Sequence, residues 1–174
     1  MKILALNGSL RAASANLVVL RHMQLHALDP INFQIFHDLG LVPPFNPDLD
    51  IEPAPSAVEL IRTQINQADV LLICTPEYTF SIPGSLKNVL DWLVSSGTLY
   101  EKRIVLVATS ISGGAKVLAA LGDVMSGHQA NVIAQASLHP AHVKADLGGP
   151  DAALSGCGIA LETVLRAIAA VAKA

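Results

Sequence analysis

Lys2-Ile3-Leu4-Ala5-Leu6-Asn7-Gly8-Ser9-Leu10-Arg11-Ala12-Ala13-Ser14-Ala15-Asn16 is the stretch that decides the fold. Residues 2–6 make an apolar run of strand length, and a helix-patterned segment starts a short loop later. The N-terminus of a helix presents unpaired N–H groups and the positive end of the helix dipole. A loop at such a junction is therefore a natural dock for a phosphate. Ser9 and Ser14 add hydroxyl donors, and Arg11 adds a planar guanidinium able to hold two phosphate oxygens at once. Gly8, with no side chain, lets the backbone come close.

Two familiar phosphate loops are absent. The chain has no G-x-x-x-x-G-K-S/T, so the grip of a nucleoside triphosphatase is missing. It has no G-x-G-x-x-G, so a pyrophosphate is not the expected ligand. Hydroxyls with a single arginine suit a terminal phosphate monoester such as that of FMN. Taken alone, the stretch also reads as a polar turn whose serine caps a helix.

Further apolar runs at Asp69–Cys74, Arg103–Thr109 and Asn131–Leu138 are continuous rather than alternating, as buried parallel strands require. Asn32–Phe36 is mixed, as an edge strand would be. Between the strands lie helix faces: Leu17, Leu20, Met23 and Ala27, then Val58, Ile61, Ile65 and Ala68. Ser56 with Glu59 predicts a capping box that starts the second of these. Leu86, Val89, Leu90 and Leu93 mark a third helix with Pro83 near its first turn, and Val117, Leu118, Leu121 and Met125 a fourth. The last helix carries Leu161, Val164, Leu165 and Ile168, after a stretch broken by Gly156 and Gly158. Alternating strands and helices predict one domain over residues 1–174. Its architecture is a flavodoxin-like α/β/α sandwich with five parallel strands in the order 2-1-3-4-5. In that order ligands sit at the carboxyl ends of strands 1, 3 and 4.

The loops after strands 3 and 4 have the composition such a site needs. Thr75-Pro76-Glu77-Tyr78-Thr79-Phe80-Ser81-Ile82-Pro83-Gly84 is a rigid turn that can lay its backbone against a flat ring. Ser110-Ile111-Ser112-Gly113-Gly114 is small, Gly-rich and again opens a helix. Residues 38–55 form a long Pro-rich connection of the kind that often covers a site.

Composition narrows the partners. A net charge of −3 and an aromatic content of 4% give no reason to expect nucleic acid or an anionic membrane. Cys74 and Cys157 are too few for a disulfide framework, and the reading is a cytoplasmic protein with reduced thiols. Residues 159–172 are too short for a membrane span, and with 52% apolar residues overall a self-association surface is expected. His139 with His142 lacks a third ligand at suitable spacing, and His22 with His26, four apart on the first helix, reads as a solvated face rather than half of a site, so no metal is expected.

Gly8-Ser9-Leu10-Arg11, Ser14 and Asn16, with Pro76-Glu77-Tyr78, Ser81-Ile82-Pro83-Gly84, Leu86-Lys87-Asn88 and Asp91-Trp92, resemble two signatures of the NADPH-dependent FMN reductase family. That family includes quinone, chromate and azo-dye reductases. Phe45-Asn46-Pro47-Asp48-Leu49-Asp50 is similar to a weaker family segment. The resemblance implies that Ser9, Arg11, Ser14 and Asn16 hold the FMN phosphate. Pro76, Glu77, Tyr78 and Thr79 would line the isoalloxazine, with Ser110, Ser112 and Gly113 on its other side. The family usually has Asn where this chain has Thr79, which exchanges an amide for a hydroxyl.

The flavin itself carries the hydride chemistry, and no catalytic acid or base is expected. The implied activity is an NAD(P)H-dependent FMN reductase or quinone reductase. It would pass two electrons from NADPH or NADH to a small acceptor (quinone, azo compound, metal oxyanion or free flavin) in a ping-pong cycle. Backbone N–H groups near Ser112–Gly114 would stabilise negative charge on the reduced ring. Glu77 is expected to use its backbone while its carboxylate faces solvent, Lys87 and Asp91 to form a helical ion pair, and Trp92 to lie in the core or a subunit interface. The resemblance also implies a homodimer or dimer of dimers. Two other readings share the fold: a non-catalytic FMN electron carrier of flavodoxin type, and a protein that has lost its flavin. Mild charge and few aromatics weigh against the first, and intact Ser9 and Arg11 against the second.

Overall fold

The computed structural model describes residues 1–27, 31–147 and 156–171. Its strands β1 (Lys2–Asn7), β2 (Asn32–Phe36), β3 (Val70–Pro76), β4 (Arg103–Thr109) and β5 (Asn131–Leu138) pair in parallel in the order β2-β1-β3-β4-β5. This is the flavodoxin-like order expected from the sequence. The helices are α1 (Ala15–Leu25), α2 (Ser56–Asn66), α3 (Gly84–Trp92), α4 (Ala115–Gly127), α5 (Pro140–Asp146) and α6 (Gly156–Val171).

Side chains of β1, β3 and β4 alternate between two apolar layers, which is why these runs read as continuously hydrophobic. β5, expected to be buried, lies at the sheet edge with only Leu138 buried. Leu4, Leu6, Leu71, Ile73, Ile104 and Leu106 pack with residues of α2, α3 and α4. Ile3, Ala5, Val70, Leu72, Val105 and Val107 pack with residues of α1, α5 and α6 on the opposite face. Both layers leave these strand residues fully buried. At the carboxyl edge, Asn7 lies level with Cys74, and Cys74 with Val107. β3 and β4 then run on to Pro76 and Thr109, so their loops stand beyond the β1 loop.

Two local expectations are corrected, and the structure adds a short helix. The Ser56–Glu59 capping box does not form: Pro55 is the N-cap, with extended backbone and no side-chain cap bond. Its carbonyl accepts from Val58 and Glu59 N–H instead, and Glu59 pairs with Arg62 at 3.5 Å. Ser56 is already helical, one position too late for its hydroxyl to cap. Gly156 and Gly158 do not break the chain before the last helix; α6 begins at Gly156. α5 was not expected at all, because its seven residues are too few for an apolar period; Pro140 starts it, and His139 Nδ1 accepts from Ala141 N–H at 3.3 Å. Residues 148–155, part of a segment to which the sequence assigned no role, lie outside the described residues.

Candidate functional site

The β1–α1 loop is built from short local bonds. Asn7 Oδ1 accepts the Ser9 N–H (3.1 Å), Ser9 Oγ accepts the Arg11 N–H (3.3 Å), and Ser14 N–H donates to Arg11 O (3.2 Å). Ser14 is the N-cap of α1, with Oγ accepting from Leu17 N–H at 3.2 Å. Ser9 and Ser14 are buried, while Arg11 is exposed. Among the described residues no ion pair engages the Arg11 guanidinium. A cleft of about 460 Å³ runs from Ser9 and Arg11 to His37 and Asp38 after β2.

One carbonyl ties this loop to the sheet. Cys74 O accepts both the Gly8 N–H (2.8 Å) and the Asn16 Nδ2 (3.2 Å). The approach is close enough that a Cβ on Gly8 would stand 2.8 Å from Thr75 Oγ1. The other end of the Asn16 amide, Oδ1, accepts the Thr109 hydroxyl at the end of β4. Asn16 is thus buried and bound to β3 and β4, whereas Ser9, Arg11 and Ser14 belong to the loop itself. The Cys74 thiol is fully buried, and burial pushes it up, so it is an inert packing group.

The β3 loop turns on Tyr78–Ser81, which exchange backbone bonds of 3.1 and 3.0 Å across Thr79 (φ 51°) and Phe80 (φ 61°). Two consecutive left-handed residues make the tight hairpin turn that favours Asn-Gly, and here it is filled by a β-branched and an aromatic residue. Phe80 is held from outside: Lys116 Nζ lies 4.0 Å from its ring centroid. Tyr78 is 54% exposed, so it rims the site rather than packing into the core.

The expectation that the Glu77 carboxylate faces solvent is wrong. Oε2 accepts the Ser110 hydroxyl at 2.6 Å and the Ser112 hydroxyl as well, and Oε1 accepts the Val117 N–H at 3.2 Å. These two hydroxyls, then the Val117 N–H and the nearby Lys116 charge, hold its carboxyl below the ordinary value against the partial burial that pushes it up. Ser110 is buried; Ser112 and Gly113 (φ 89°) are exposed, and Gly113 O accepts from Ser137 Oγ at 2.6 Å. The clasp joins residues more than thirty positions apart, which no local motif signals.

The Asn88 and Trp92 positions of the second signature hold the Pro-rich connection. Asn88 accepts the Phe45 N–H (2.7 Å) and donates to Pro43 O (2.9 Å), and the buried Trp92 indole N–H also reaches Pro43 O (2.8 Å). Arg62 bonds Asp50 (2.8 Å) and Trp92 O (2.6 Å), closing the far end of the connection onto α3. Lys87 and Asp91 form the expected helical ion pair at 2.5 Å. His22 is buried and its ring stacks on His26 with centroids 4.1 Å apart, so it is not on a solvated face. Among the described residues no group of three or more His, Cys, Asp or Glu is placed to hold a metal, and no helix is long and apolar enough to cross a membrane.

The sheet order and the three loops at its carboxyl edge place the molecule among flavodoxin-like α/β proteins. Residues 1–143 match the model of the NADPH-dependent FMN reductase family, and the chain belongs to that family. It is 34% identical over 121 residues to a quinone reductase of Escherichia coli K12, a match covering 67% of this chain and 64% of that one. It is 41% identical over 93 residues to an NAD(P)H-dependent FMN reductase of Pseudomonas aeruginosa, covering 53% of this chain and 49% of the relative. The matches thus span between about half and two thirds of the relatives' length. Among solved structures, the flavoenzyme NAD(P)H:(acceptor) oxidoreductase FerB of Paracoccus denitrificans superposes with a TM-score of 0.66 at 28% identity, covering 79% of this chain and 74% of that one.

Proposed function

We propose that this chain is an FMN-dependent NAD(P)H oxidoreductase that delivers two electrons to a small acceptor of quinone type. The β1–α1 loop carries the reading. Ser9 Oγ and Ser14 Oγ each accept one backbone N–H, and a hydroxyl that accepts still has its proton to donate to a phosphate oxygen. Arg11 stands beside them with its fork unengaged by any acidic partner among the described residues, at the positive end of α1. The residues therefore fit a phosphate monoester. In this reading Arg11, Ser9 and Ser14 bind the phosphate, and Asn16 positions the loop through Cys74 and Thr109. Pro76, Glu77, Tyr78 and Thr79 offer one wall to the ring, and Ser110, Ser112 and Gly113 the other. The exposure of Tyr78 and Thr79 leaves a face open to small molecules. Bound FMN supplies the hydride chemistry between NAD(P)H and the acceptor, in ping-pong order when both use that one face. The proposal includes a homodimer or dimer of dimers, which light scattering tests.

The experiment is anaerobic mixing of FMN-loaded protein with NADPH, then NADH, while the flavin absorbance is followed. Bleaching reversed by a benzoquinone supports the reading. A bound flavin that stays oxidised with both donors refutes it in favour of an electron carrier. Arg11→Ala should weaken FMN binding at least tenfold, about 1.4 kcal/mol, without moving the thermal midpoint of the flavin-free protein.

A further inference from the structure

We propose that Glu77 is a positioning residue of this site: its carboxylate clasps the β4 loop to the β3 loop and, by capping α4, keeps the bound flavin harder to reduce. The inference rests on the FMN reading above and adds to it a residue that sets the flavin's potential.

The need for an imported cap follows from Gly114. This residue is the N-cap of α4 and has no side chain to accept a first-turn N–H. It has φ 70°, and a Cβ there would stand 2.5 Å from Ser137 Oγ and 2.9 Å from Ala108 Cβ, so a capping residue does not fit. Glu77 supplies the missing acceptor from the preceding loop, through Oε1 to the Val117 N–H. Its other oxygen gathers Ser110 and Ser112, whose own bond (3.0 Å) and the Ser112 N–H to Ser110 Oγ bond (3.1 Å) fold the β4 loop onto itself. Lys116, next to Val117, braces Phe80 in the left-handed turn, so the same helix start holds the β3 loop a second time.

The electrical consequence is opposite to that expected from the sequence alone. A free helix start near Ser112–Gly114 would favour the negative charge that reduction brings to a flavin. Here a carboxylate already occupies that start and offsets its partial positive charge. Removing the charge while keeping an oxygen for the two serines should favour the reduced ring.

The test compares Glu77→Gln and Glu77→Ala in the full chain. In flavin-free protein, amide exchange at Val117 should accelerate at least tenfold in both variants, because the glutamine cannot serve the serines and the Val117 N–H together. Exchange at Ser112 should accelerate only in Glu77→Ala. With FMN bound, Glu77→Gln should raise the midpoint potential by about 30 mV, a tenfold shift toward the reduced form of a two-electron couple. Unchanged exchange at Val117 in Glu77→Ala overturns the clasp. An unmoved or lowered potential in FMN-loaded Glu77→Gln overturns the electrostatic role. A wild-type protein that takes up no FMN overturns the function reading and this electrostatic role with it, while the exchange result still decides the clasp.

Discussion

Replacing Gly8 by alanine adds one methyl group where the β1 loop crosses the end of β3. The added carbon would stand 2.8 Å from Thr75 Oγ1, 3.0 Å from Thr75 Cβ and 3.2 Å from Leu86 Cδ2. Carbon–carbon contacts are comfortable at about 3.5–4.0 Å, so the methyl overlaps Thr75 by about half an ångström. Thr75 and Leu86 are fully buried, and a β-branched threonine is stiff at χ1, so neither can swing out of the way. Overpacking of this kind costs about 1–3 kcal/mol. Shifting the loop instead strains the 2.8 Å bond from Gly8 N–H to Cys74 O, worth about 1 kcal/mol. Alanine returns about 0.4–1 kcal/mol through a less flexible unfolded chain. The net loss is about 1–3 kcal/mol, or roughly 2–12 °C in midpoint for a chain of this size. Urea and thermal unfolding of flavin-free Gly8→Ala measure it. Thr75→Ala removes the nearest atom, so the double variant should recover at least about 0.5 kcal/mol relative to additivity. A Gly8→Ala protein as stable as wild type, or strict additivity with Thr75→Ala, would refute the argument that close approach is why glycine stands here.

Thr79→Asn should raise stability by about 0.5–1 kcal/mol, because asparagine tolerates the left-handed region better than a β-branched residue; a lower thermal midpoint would count against strain in that turn. Asn88→Ala removes bonds to Phe45 N–H, Pro43 O and Val42 O and should cost about 1–3 kcal/mol. Limited proteolysis should then cut residues 38–55 faster, and an unchanged digestion pattern would show that other contacts hold the connection. Stability should fall as pH drops below about 6.5. Burial, then the His26 charge, lowers the His22 imidazole's affinity for a proton in the folded state, so the unfolded chain, with an ordinary value near 6.5, takes up protons first. The stabilising effect is complete above about 6.5 and is lost as pH drops toward the lowered folded value. His22→Gln should flatten the slope in urea midpoints; a flat wild-type profile would sink the assignment.

The strands were legible because β1, β3 and β4 feed two apolar layers, which forces unbroken hydrophobic runs into the sequence. The order of the strands followed from alternation with helices and from the loop after β1. Side-chain partners across the fold were not legible. Glu77 reads as a surface carboxylate because its donors, Ser110, Ser112 and Val117, lie in a later loop and helix. Asn16 reads as one more polar residue of a phosphate loop, yet its amide spans β3 and β4. The helix-start pattern at Ser56 misled for a related reason: Pro55, with its fixed φ, had already begun the turn.

The chain contains one tryptophan, and it is the fully buried Trp92 whose indole N–H is bonded to Pro43 O and whose ring meets Phe45 edge-on with centroids 5.1 Å apart. Excited at the red edge of its absorption, where Tyr78 and Tyr100 do not absorb, the chain's emission therefore comes from a single indole seated against the Pro-rich connection. No label is needed to watch that segment. If it lifts when a nucleotide or acceptor arrives, water reaches the indole and the emission moves to longer wavelength; if it stays, the spectrum keeps the blue-shifted maximum of a dry ring.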